Sequence, residues 1–203
     1  MIRYAKDPMP GPEQYAKEYA EAVKRAVQNT DREPSAAQRE SGNYRKGKVS
    51  LHGLTVTIEN PKGSKRRPEW EPLASHYGYI NRTEGRDGDH VDVFIGPSPE
   101  SEVVFVVDQC SKAGRFDEHK VMLGWNDEQS ARKAYLANYH AGWKCGPITT
   151  MTISQFKAWL ADGDTSQRVE GQVSKYAKLG TTAPPGGLPG PPSHAATPAE
   201  VSK

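Results

Sequence analysis

Hydrophobic positions divide the first half of the chain into one helical segment and one strand-like segment. In residues 13–28, apolar side chains recur every three or four positions with charges between them, which predicts a short amphipathic helix. Residues 49–59 instead alternate between apolar and polar and are interrupted by Gly53, which predicts a strand with a bend or bulge. Glu59 then lies at the end of that strand.

The second half of the chain contains strand patterns followed by helix patterns. Apolar, β-branched runs at 90–95, 103–107 and 121–123 predict buried strands. Helices are predicted at 127–139, with Asn126 as a candidate cap, and at 154–161. Because strands come first and helices last, the order predicts an α+β fold whose mainly antiparallel sheet closes into a small barrel flanked by helices.

Polar and proline-rich stretches suggest the domain boundaries. Residues 29–47 are polar and predict a linker or an arm lying on the core, while residues from about 181 onward are proline-rich without aromatic rings, which predicts disorder. We expect an N-terminal helix and linker at 1–33, one compact domain at 34–165 and a C-terminal tail at 166–203.

Composition narrows the classes of partner. The 203 residues are 35% hydrophobic and 26% charged, enough for one compact core. A formal net charge of +2 gives no electrostatic case for duplex nucleic acid as a partner. The sequence lacks both the roughly 18 consecutive apolar residues of a membrane span and the apolar stretch of a signal peptide. We therefore expect no membrane partner and a cytoplasmic location, with Cys110 and Cys145 as reduced thiols.

Three carboxylates converge at the start of one predicted strand, at Asp87, Asp89 and Asp92. Like charges this close repel, and a hard cation with oxygen ligands, such as Mg²⁺, offsets the repulsion. Gly88 permits the tight turn that lets neighbouring carboxylates face one site. The alternative is a solvated Asp-Gly turn. A helix–loop–helix calcium site fits less well, because Asp92 stands where that loop requires glycine.

Other acids also lie at predicted strand ends and next to basic or hydroxyl groups. Asp117 and Glu118 precede the run at 121–123, and Asp108 ends the strand before it. Each acid taken singly is better explained by a surface turn than by a ligand role, and the basic residues are equally explained by solubility. Acids for metal ions combined with cations for phosphate oxygens are what phosphoryl transfer to water requires. The basic and hydroxyl residues are Lys65, Arg66, Arg67, Tyr77, Tyr79, Lys120, Tyr139 and His140.

Two linked motifs resemble one known family. The stretch YGYINRT at 77–83, followed by DGDHVDV at 87–93, is similar to the signature region of family I soluble inorganic pyrophosphatases. Residues 58–64 resemble that family's strand-end glutamate and the turn after it. The likeness covers about residues 48–159. Looser matches to its Lys-x-Glu, Asp-Glu, Asp-x-Lys and Tyr-Lys groups are Arg67-Pro68-Glu69, Asp108-Gln109, Glu118-His119-Lys120 and Tyr139-His140.

The resemblance implies a closed five-stranded barrel and a Mg²⁺ or Mn²⁺ site that hydrolyses a small-molecule phosphoanhydride. It implies metal ligation by Asp87, Asp92, Asp108 and the pair Asp117 and Glu118, with Asp89 as the general base that takes a proton from the attacking water. The side chains that it assigns to substrate binding are Glu59, Arg67, Glu69, Tyr77, Lys120, Tyr139 and His140.

Several positions depart from the family pattern. Only residues 70–76 separate Glu69 from Tyr77, which is too short for the hairpin that usually supplies a substrate-binding arginine. Arg66 or Arg82 is the available replacement. Arginine at 67, glutamate at 118 and histidine at 140 keep the ligand type but change its reach, so an attenuated or redirected activity is expected.

Three functions stay open from the sequence. The first is hydrolysis of pyrophosphate, in a phage or mobile-element setting inside a bacterial host, because 34–47 and 53–64 also resemble pyrophosphatase-like domains of phage and mobile-element proteins. The second is a non-catalytic module of the same fold that binds phosphate, nucleotide or a protein. The third, nucleic-acid handling through the basic loop at 62–67, is disfavoured because that loop has no interleaved aromatic rings. The sequence does not fix the oligomeric state.

Overall fold

The computed structural model describes residues 11–179. In this part of the chain, no helix is both long and apolar enough to cross a membrane. The predicted disorder from about 181 falls outside the described residues. The elements in chain order are α1 (Pro12–Gln28), α2 (Ala36–Ser41), β1 (Gly47–Leu51), β2 (Leu54–Asn60), β3 (His76–Ile80), β4 (Asp92–Ile95), β5 (Val103–Cys110), β6 (Phe116–Leu123), α3 (Glu128–Leu136), β7 (Ile148–Thr152), α4 (Ile153–Asp162) and a 3-10 helix (Val173–Tyr176).

The seven strands form one mixed sheet in the order β1-β2-β3-β4-β6-β5-β7. All neighbours are antiparallel except β4 and β6, which run parallel. The α+β class is confirmed, but the closed five-stranded barrel is wrong. Each edge strand of the described sheet, β1 and β7, pairs on one side only, and helices cover the apolar face instead of strand closure.

The larger core lies on the first face of the sheet. Val104 and Val106 of β5 and Val121 of β6 point into it, and α1 and α4 cover it with side chains such as Ala26 and Trp159. Burying branched and aromatic side chains at roughly 25 cal/mol per Å² is what fixes these helices on the sheet.

A second core lies on the opposite face. Strand alternation sends Phe105 and Val107 of β5 to this side, where they meet Met122 of β6 and Tyr135 of α3. The central strands therefore have both faces covered, which explains why they appear as continuous apolar runs in the sequence.

Most predicted elements are present, with adjusted ends. The helix at 13–28 is α1, and the bend at Gly53 is the turn of the β1–β2 hairpin, where His52 and Gly53 have φ of 52° and 79°. Asp127, one residue after the predicted cap, accepts from the Ser130 backbone and caps α3. α4 begins after Thr152, which forms a capping box with Gln155.

α2, β3 and β7 have no counterpart among the elements predicted from the sequence. β3 contains the YGYI motif and lies between β2 and β4 in the sheet. A Cβ at Gly78 would lie 1.9 Å from the carbonyl oxygen of Thr57, so glycine lets the two backbones come this close. The motif therefore has a structural role in sheet packing besides supplying Tyr77.

Residues 164–169, which follow α4, form hydrogen bonds to the loop before β4, to β5 and to β6. The Thr165 hydroxyl donates to the carbonyl of Glu84 at 2.6 Å, and the Val169 amide donates to Asp108 Oδ1 at 3.1 Å. The ring Nε2 of His119 lies 3.0 Å from the carbonyl of Gln167. We call this stretch the 164–169 segment.

Candidate active site

Polar side chains continue the second face of the sheet beyond its apolar part. Along β4 the face runs from Phe94 to Asp92, and along β5 it runs from Val107 to Gln109. Lys120 lies opposite Asp92 in the parallel β4–β6 pair. Because alternate residues of a strand share a face, three strands place their polar groups at one location.

Lys120 is the centre of this location. Its Nζ contacts Asp92 Oδ2, lies 2.7 Å from Glu118 Oε2 and lies 3.4 Å from the Tyr77 hydroxyl. The Lys120 side chain is only 3% exposed. A buried ammonium is retained only where it is paired, so the two carboxylates and the lysine depend on one another. We call Tyr77, Asp92, Glu118 and Lys120 the Lys120 cluster.

Tyr77 donates a 2.5 Å hydrogen bond to Asp92 Oδ2. Burial raises the pKa of Tyr77 well above its usual value, and the negative charge of Asp92 raises it further. Tyr77 therefore stays protonated and acts as a donor. The guanidinium of Arg66 lies 4.1 Å from the centre of the Tyr77 ring, which brings a second cationic side chain, after Lys120, to the same place.

Gln109 orients Glu118. Its Nε2 donates to Glu118 Oε1 at 2.8 Å, and its Oε1 accepts from the hydroxyls of Tyr135 and Tyr139, both at 2.8 Å. Burial raises the pKa of both tyrosines, which keeps them as donors. A register shift in the β5–β6 pair also brings exposed Asp117 to within 3.4 Å of the Gln109 amide.

Glu118 carries an electrostatic cost in this arrangement. Burial raises the pKa of the Glu118 carboxyl; Lys120 opposes that rise, and Asp92 adds to it. One ammonium thus compensates two partly buried carboxylates only in part. Additional positive charge beside Glu118 and Asp92 would favour their ionised forms.

Asp87 and Asp89 lie in an exposed loop that leads into β4. The backbone amide of Asp89 donates to Asp87 Oδ1 at 3.1 Å, and Gly88 has a φ of +83°, so the loop turns on itself as predicted for this glycine. We call residues 83–90 the acidic loop. Across residues 11–179, no three carboxylate, histidine or cysteine side chains converge as a metal cluster, so Asp87, Asp89 and Asp92 do not form one.

Asp108 does not join the Lys120 cluster, in contrast to its predicted place in the metal site. It lies one residue before Gln109 and therefore points to the opposite face of β5. There Asp108 is fully buried, with Oδ1 2.9 Å from His119 Nδ1. Its Oδ2 has no hydrogen-bond partner within 11–179. Strand alternation thus replaces Asp108 with Gln109 at the candidate site.

A cavity of about 660 Å³ opens beside the Lys120 cluster. Of the predicted substrate-binding residues, Glu69, Lys120, Tyr139 and His140 line it, and Tyr77 lies beneath Arg66. The complete lining is Arg66, Glu69, Trp70, Glu71, Leu73, Phe94, Gln109, Glu118, Lys120, Asn138, Tyr139, His140 and Trp143.

Two predicted substrate-binding residues lie elsewhere. Arg67 is exposed, with its guanidinium 5.1 Å from the centre of the Trp70 ring, while its neighbour Arg66 lines the cavity. Glu59 forms a 2.6 Å ion pair with Lys46. The pair accounts for the charge of Glu59 without any ligand.

The donor chemistry of the cluster fits a divalent cation in one respect. Asp92 and Glu118 offer hard carboxylate oxygens, the ligand type that Mg²⁺ and Mn²⁺ prefer, and the exposed Asp117 contacts the same Gln109 side chain as Glu118. The ammonium of Lys120 already shows that positive charge is accepted between Asp92 and Glu118.

Sequence reasoning missed several residues that the structure places at the site. Gln109 could have been found from strand alternation, since it lies two positions beyond Val107. Tyr135 could have been found from its helical spacing to Tyr139. Trp70 and Trp143 lie outside regular elements, where no periodicity indicates which way a side chain points.

Comparison with known proteins places the chain in a family. A search of curated proteins gives no match, and a search of solved structures gives none. The family model described as inorganic pyrophosphatase matches residues 36–161, which is more than half of the chain and includes the Lys120 cluster, the acidic loop and most of the cavity wall. The chain therefore belongs to the inorganic pyrophosphatase family.

Proposed function

We propose that this protein hydrolyses pyrophosphate, or a related phosphoanhydride, to phosphate in a Mg²⁺-dependent reaction. The observation that carries the proposal is the Lys120 cluster at the edge of the cavity, where carboxylates suited to a metal ion lie beside cations suited to phosphate oxygens. Membership of the inorganic pyrophosphatase family supports the same reaction.

Cationic and hydroxyl groups of the cavity would bind the phosphates. Lys120 offers its positive charge at the cavity wall, and Arg66 offers a planar guanidinium that suits two phosphate oxygens. We assign this role to Arg66 because it lines the cavity, whereas Arg67 lies at the exposed edge. Tyr139 and His140, which also line the cavity, complete the binding groups.

The acids would hold the cation and accept a proton. We propose that Asp87, Asp92, Asp117 and Glu118 ligate Mg²⁺ or Mn²⁺, which when bound lowers the pKa of a coordinated water. Asp89 would act as general base and take the proton of the attacking water. Asp108, buried on the other face, has no part in this set.

A non-catalytic role is the second candidate. It is favoured by the distribution of the acids, because Lys120 already occupies the position between Asp92 and Glu118 and the acidic loop lies exposed. Such a module would bind phosphate or nucleotide without cleaving it.

We also propose the phage or mobile-element setting, for which the support is the likeness of residues 34–47 and 53–64 noted above.

The deciding experiment measures phosphate release from pyrophosphate with Mg²⁺ and with EDTA. We expect Mg²⁺-dependent release by the wild-type protein. The variant Asp162→Asn is the matched control, because Asp162 is an exposed acid at the end of α4 and lies away from the cavity. Absence of release at millimolar Mg²⁺ in both proteins would instead establish the non-catalytic role for pyrophosphate.

We expect millimolar Mg²⁺ or Mn²⁺ to raise the melting temperature. A cation that binds the folded state stabilises it by mass action, and here it also relieves the repulsion between Asp92 and Glu118. The measurement is a thermal scan with MgCl₂, with NaCl at equal ionic strength as the control. An equal melting temperature in both salts would contradict a formed metal site.

A further inference from the structure

The cavity has two chemically different ends. Glu118, Lys120 and Gln109 line one end, where the phosphates are expected. Half of the other wall residues are aromatic or apolar, and the other half are Arg66, Glu69, Glu71, Asn138 and His140. Pyrophosphate has no apolar part that would contact the aromatic and apolar residues. The aromatic and apolar wall residues are Trp70, Leu73, Phe94, Tyr139 and Trp143. A cavity of about 660 Å³ lies within the range of pockets that hold small organic ligands, which is 300–1,000 Å³.

One side of this aromatic wall is held rigidly. The rings of Tyr139 and Trp143 are stacked, with centroids 4.8 Å apart and an interplanar angle of 8°. The Trp143 Nε1–H donates to the Tyr135 hydroxyl at 2.9 Å, which fixes the rotation of the indole. One face of Trp143 is therefore covered by Tyr139, and the His140 ring meets Trp143 in a T-shaped contact with centroids 5.6 Å apart, so Trp143 is a fixed aromatic part of the cavity wall.

The other side of the wall is formed by Trp70. Trp70 is 44% exposed, so its ring contributes little to the folded core. The guanidinium groups of Arg66 and Arg67 lie 5.7 Å and 5.1 Å from the centre of this ring. Positive charge thus lies beside the tryptophan on the same cavity wall that leads to Lys120.

The order of aromatic and charged side chains along the cavity matches the order of the base and the phosphates in a nucleotide. Successive bases stack on aromatic rings in many nucleic-acid-binding proteins, and the contact tolerates any base because each has a π face. Guanidinium groups bind phosphate oxygens through paired hydrogen bonds. An aromatic end, the Arg66 guanidinium and a lysine with carboxylates therefore correspond in order to a base, a polyphosphate and a scissile anhydride.

We propose that the cavity binds a nucleoside triphosphate, with the base against Trp70 and Trp143 and the phosphates at Arg66 and Lys120. This inference rests on the function proposed above. In the reaction, the oxygen of a water bonds to the terminal phosphorus while the bond from that phosphorus to the bridging oxygen breaks. The products are inorganic phosphate and the nucleoside diphosphate, and the proton of the water passes through Asp89 to solvent.

The test compares binding of two non-hydrolysable ligands by calorimetry in the presence of Mg²⁺. One ligand is adenosine 5′-(β,γ-methylene)triphosphate, and the other is methylenediphosphonate, which has the phosphonates without a nucleoside. We expect Trp70→Ala to weaken the nucleotide analogue relative to methylenediphosphonate by about tenfold or more, the usual effect of removing one stacking ring. Trp70→Phe should restore most of the preference, because it keeps an aromatic face.

Tyr15→Ala is the matched control, since Tyr15 is an aromatic residue of α1 with 38% exposure and does not line the cavity. It should leave the preference for the nucleotide analogue unchanged. The proposal is overturned if the wild-type protein binds the nucleotide analogue no more tightly than methylenediphosphonate, or if Trp70→Ala weakens both ligands equally.

Parallel hydrolysis assays separate this inference from the proposed function. Phosphate release from pyrophosphate together with equal affinity for the two analogues would leave the hydrolase function standing and reject the nucleotide subsite. Tight, Trp70-dependent binding of the nucleotide analogue without any phosphate release from ATP or pyrophosphate would keep the subsite and reject the hydrolase function.

Discussion

Replacing Lys120 with methionine is expected to lower the free energy of unfolding by about 3–5 kcal/mol, the range observed when one partner of a buried ion pair is removed. Methionine keeps most of the buried chain but leaves Asp92 and Glu118 without their shared cation. Urea denaturation followed by circular dichroism measures the change. A loss below about 1 kcal/mol would show that the carboxylates do not depend on Lys120.

Lys46→Met is the matched control for this prediction. Lys46 forms an ion pair with one carboxylate, that of Glu59, and the Lys46 and Glu59 side chains are 18% and 21% exposed. Because solvent screens this pair, its loss should cost about 1 kcal/mol. The contrast between the two variants separates the effect of a buried shared cation from the general effect of removing a lysine.

The same Lys120→Met variant has a further expected property. With the ammonium gone, a divalent cation can occupy the position between Asp92 and Glu118, so Mg²⁺ should raise the stability of the variant more than that of the wild type. Hydrolysis should nevertheless fall, because Lys120 is also proposed to bind phosphate. Equal stabilisation of both proteins by Mg²⁺ would place the metal site elsewhere.

The second large effect is expected for Asp89→Asn, which should reduce hydrolysis by about 10²-fold or more. Asparagine has nearly the same shape and one acceptor oxygen, but it cannot take the proton of the water. The Asp89 side chain is exposed. The hydrogen bond to Asp87 comes from the backbone amide of residue 89, so the Asp89→Asn variant retains it. Folding and metal affinity should therefore stay close to those of the wild type.

Asp87→Asn and Asp92→Asn distinguish the general base from the metal ligands. Each removes a charge from the proposed ligand set, so hydrolysis should recover in part as the Mg²⁺ concentration is raised. Asp89→Asn should show no such recovery. Phosphate release measured against Mg²⁺ concentration gives the comparison, and wild-type turnover by Asp89→Asn at saturating Mg²⁺ would reject Asp89 as the base.

The elements with strong local patterns could be predicted from the sequence. α1 has a regular three- to four-residue spacing, and the β1–β2 hairpin has alternating residues around Gly53, so both are specified by neighbours in the chain. Closure of the sheet is different, because it depends on whether the two edge strands meet. Edge strands β1 and β7 lie far apart in sequence, and β7 was not recognised as a strand.

The candidate site likewise contains some residues that could be predicted from the sequence and some that could not. Lys120, Glu118 and Asp92 could be predicted because each follows or precedes an apolar run that fixes its strand. The choice between Asp108 and Gln109 depends on which face of β5 points toward the candidate site. Because β5 is buried on both faces, its sequence has no alternation of apolar and polar residues that would show this. The choice between Arg66 and Arg67 depends on loop conformation, which has no periodic signal.

The 164–169 segment lies outside the region matched to the family, yet it holds two parts of the candidate site in position. Thr165 holds the acidic loop through Glu84, while Val169 holds β5 through the buried carboxylate of Asp108. If this segment opens, Asp108 loses its backbone donor and the acidic loop loses its anchor in the same event. The acidic loop and the end of β5 that carries Gln109 are thus expected to fluctuate as one cooperative unit rather than independently. A chain ending at residue 161 would contain every matched residue and still lack the connection that makes them move together.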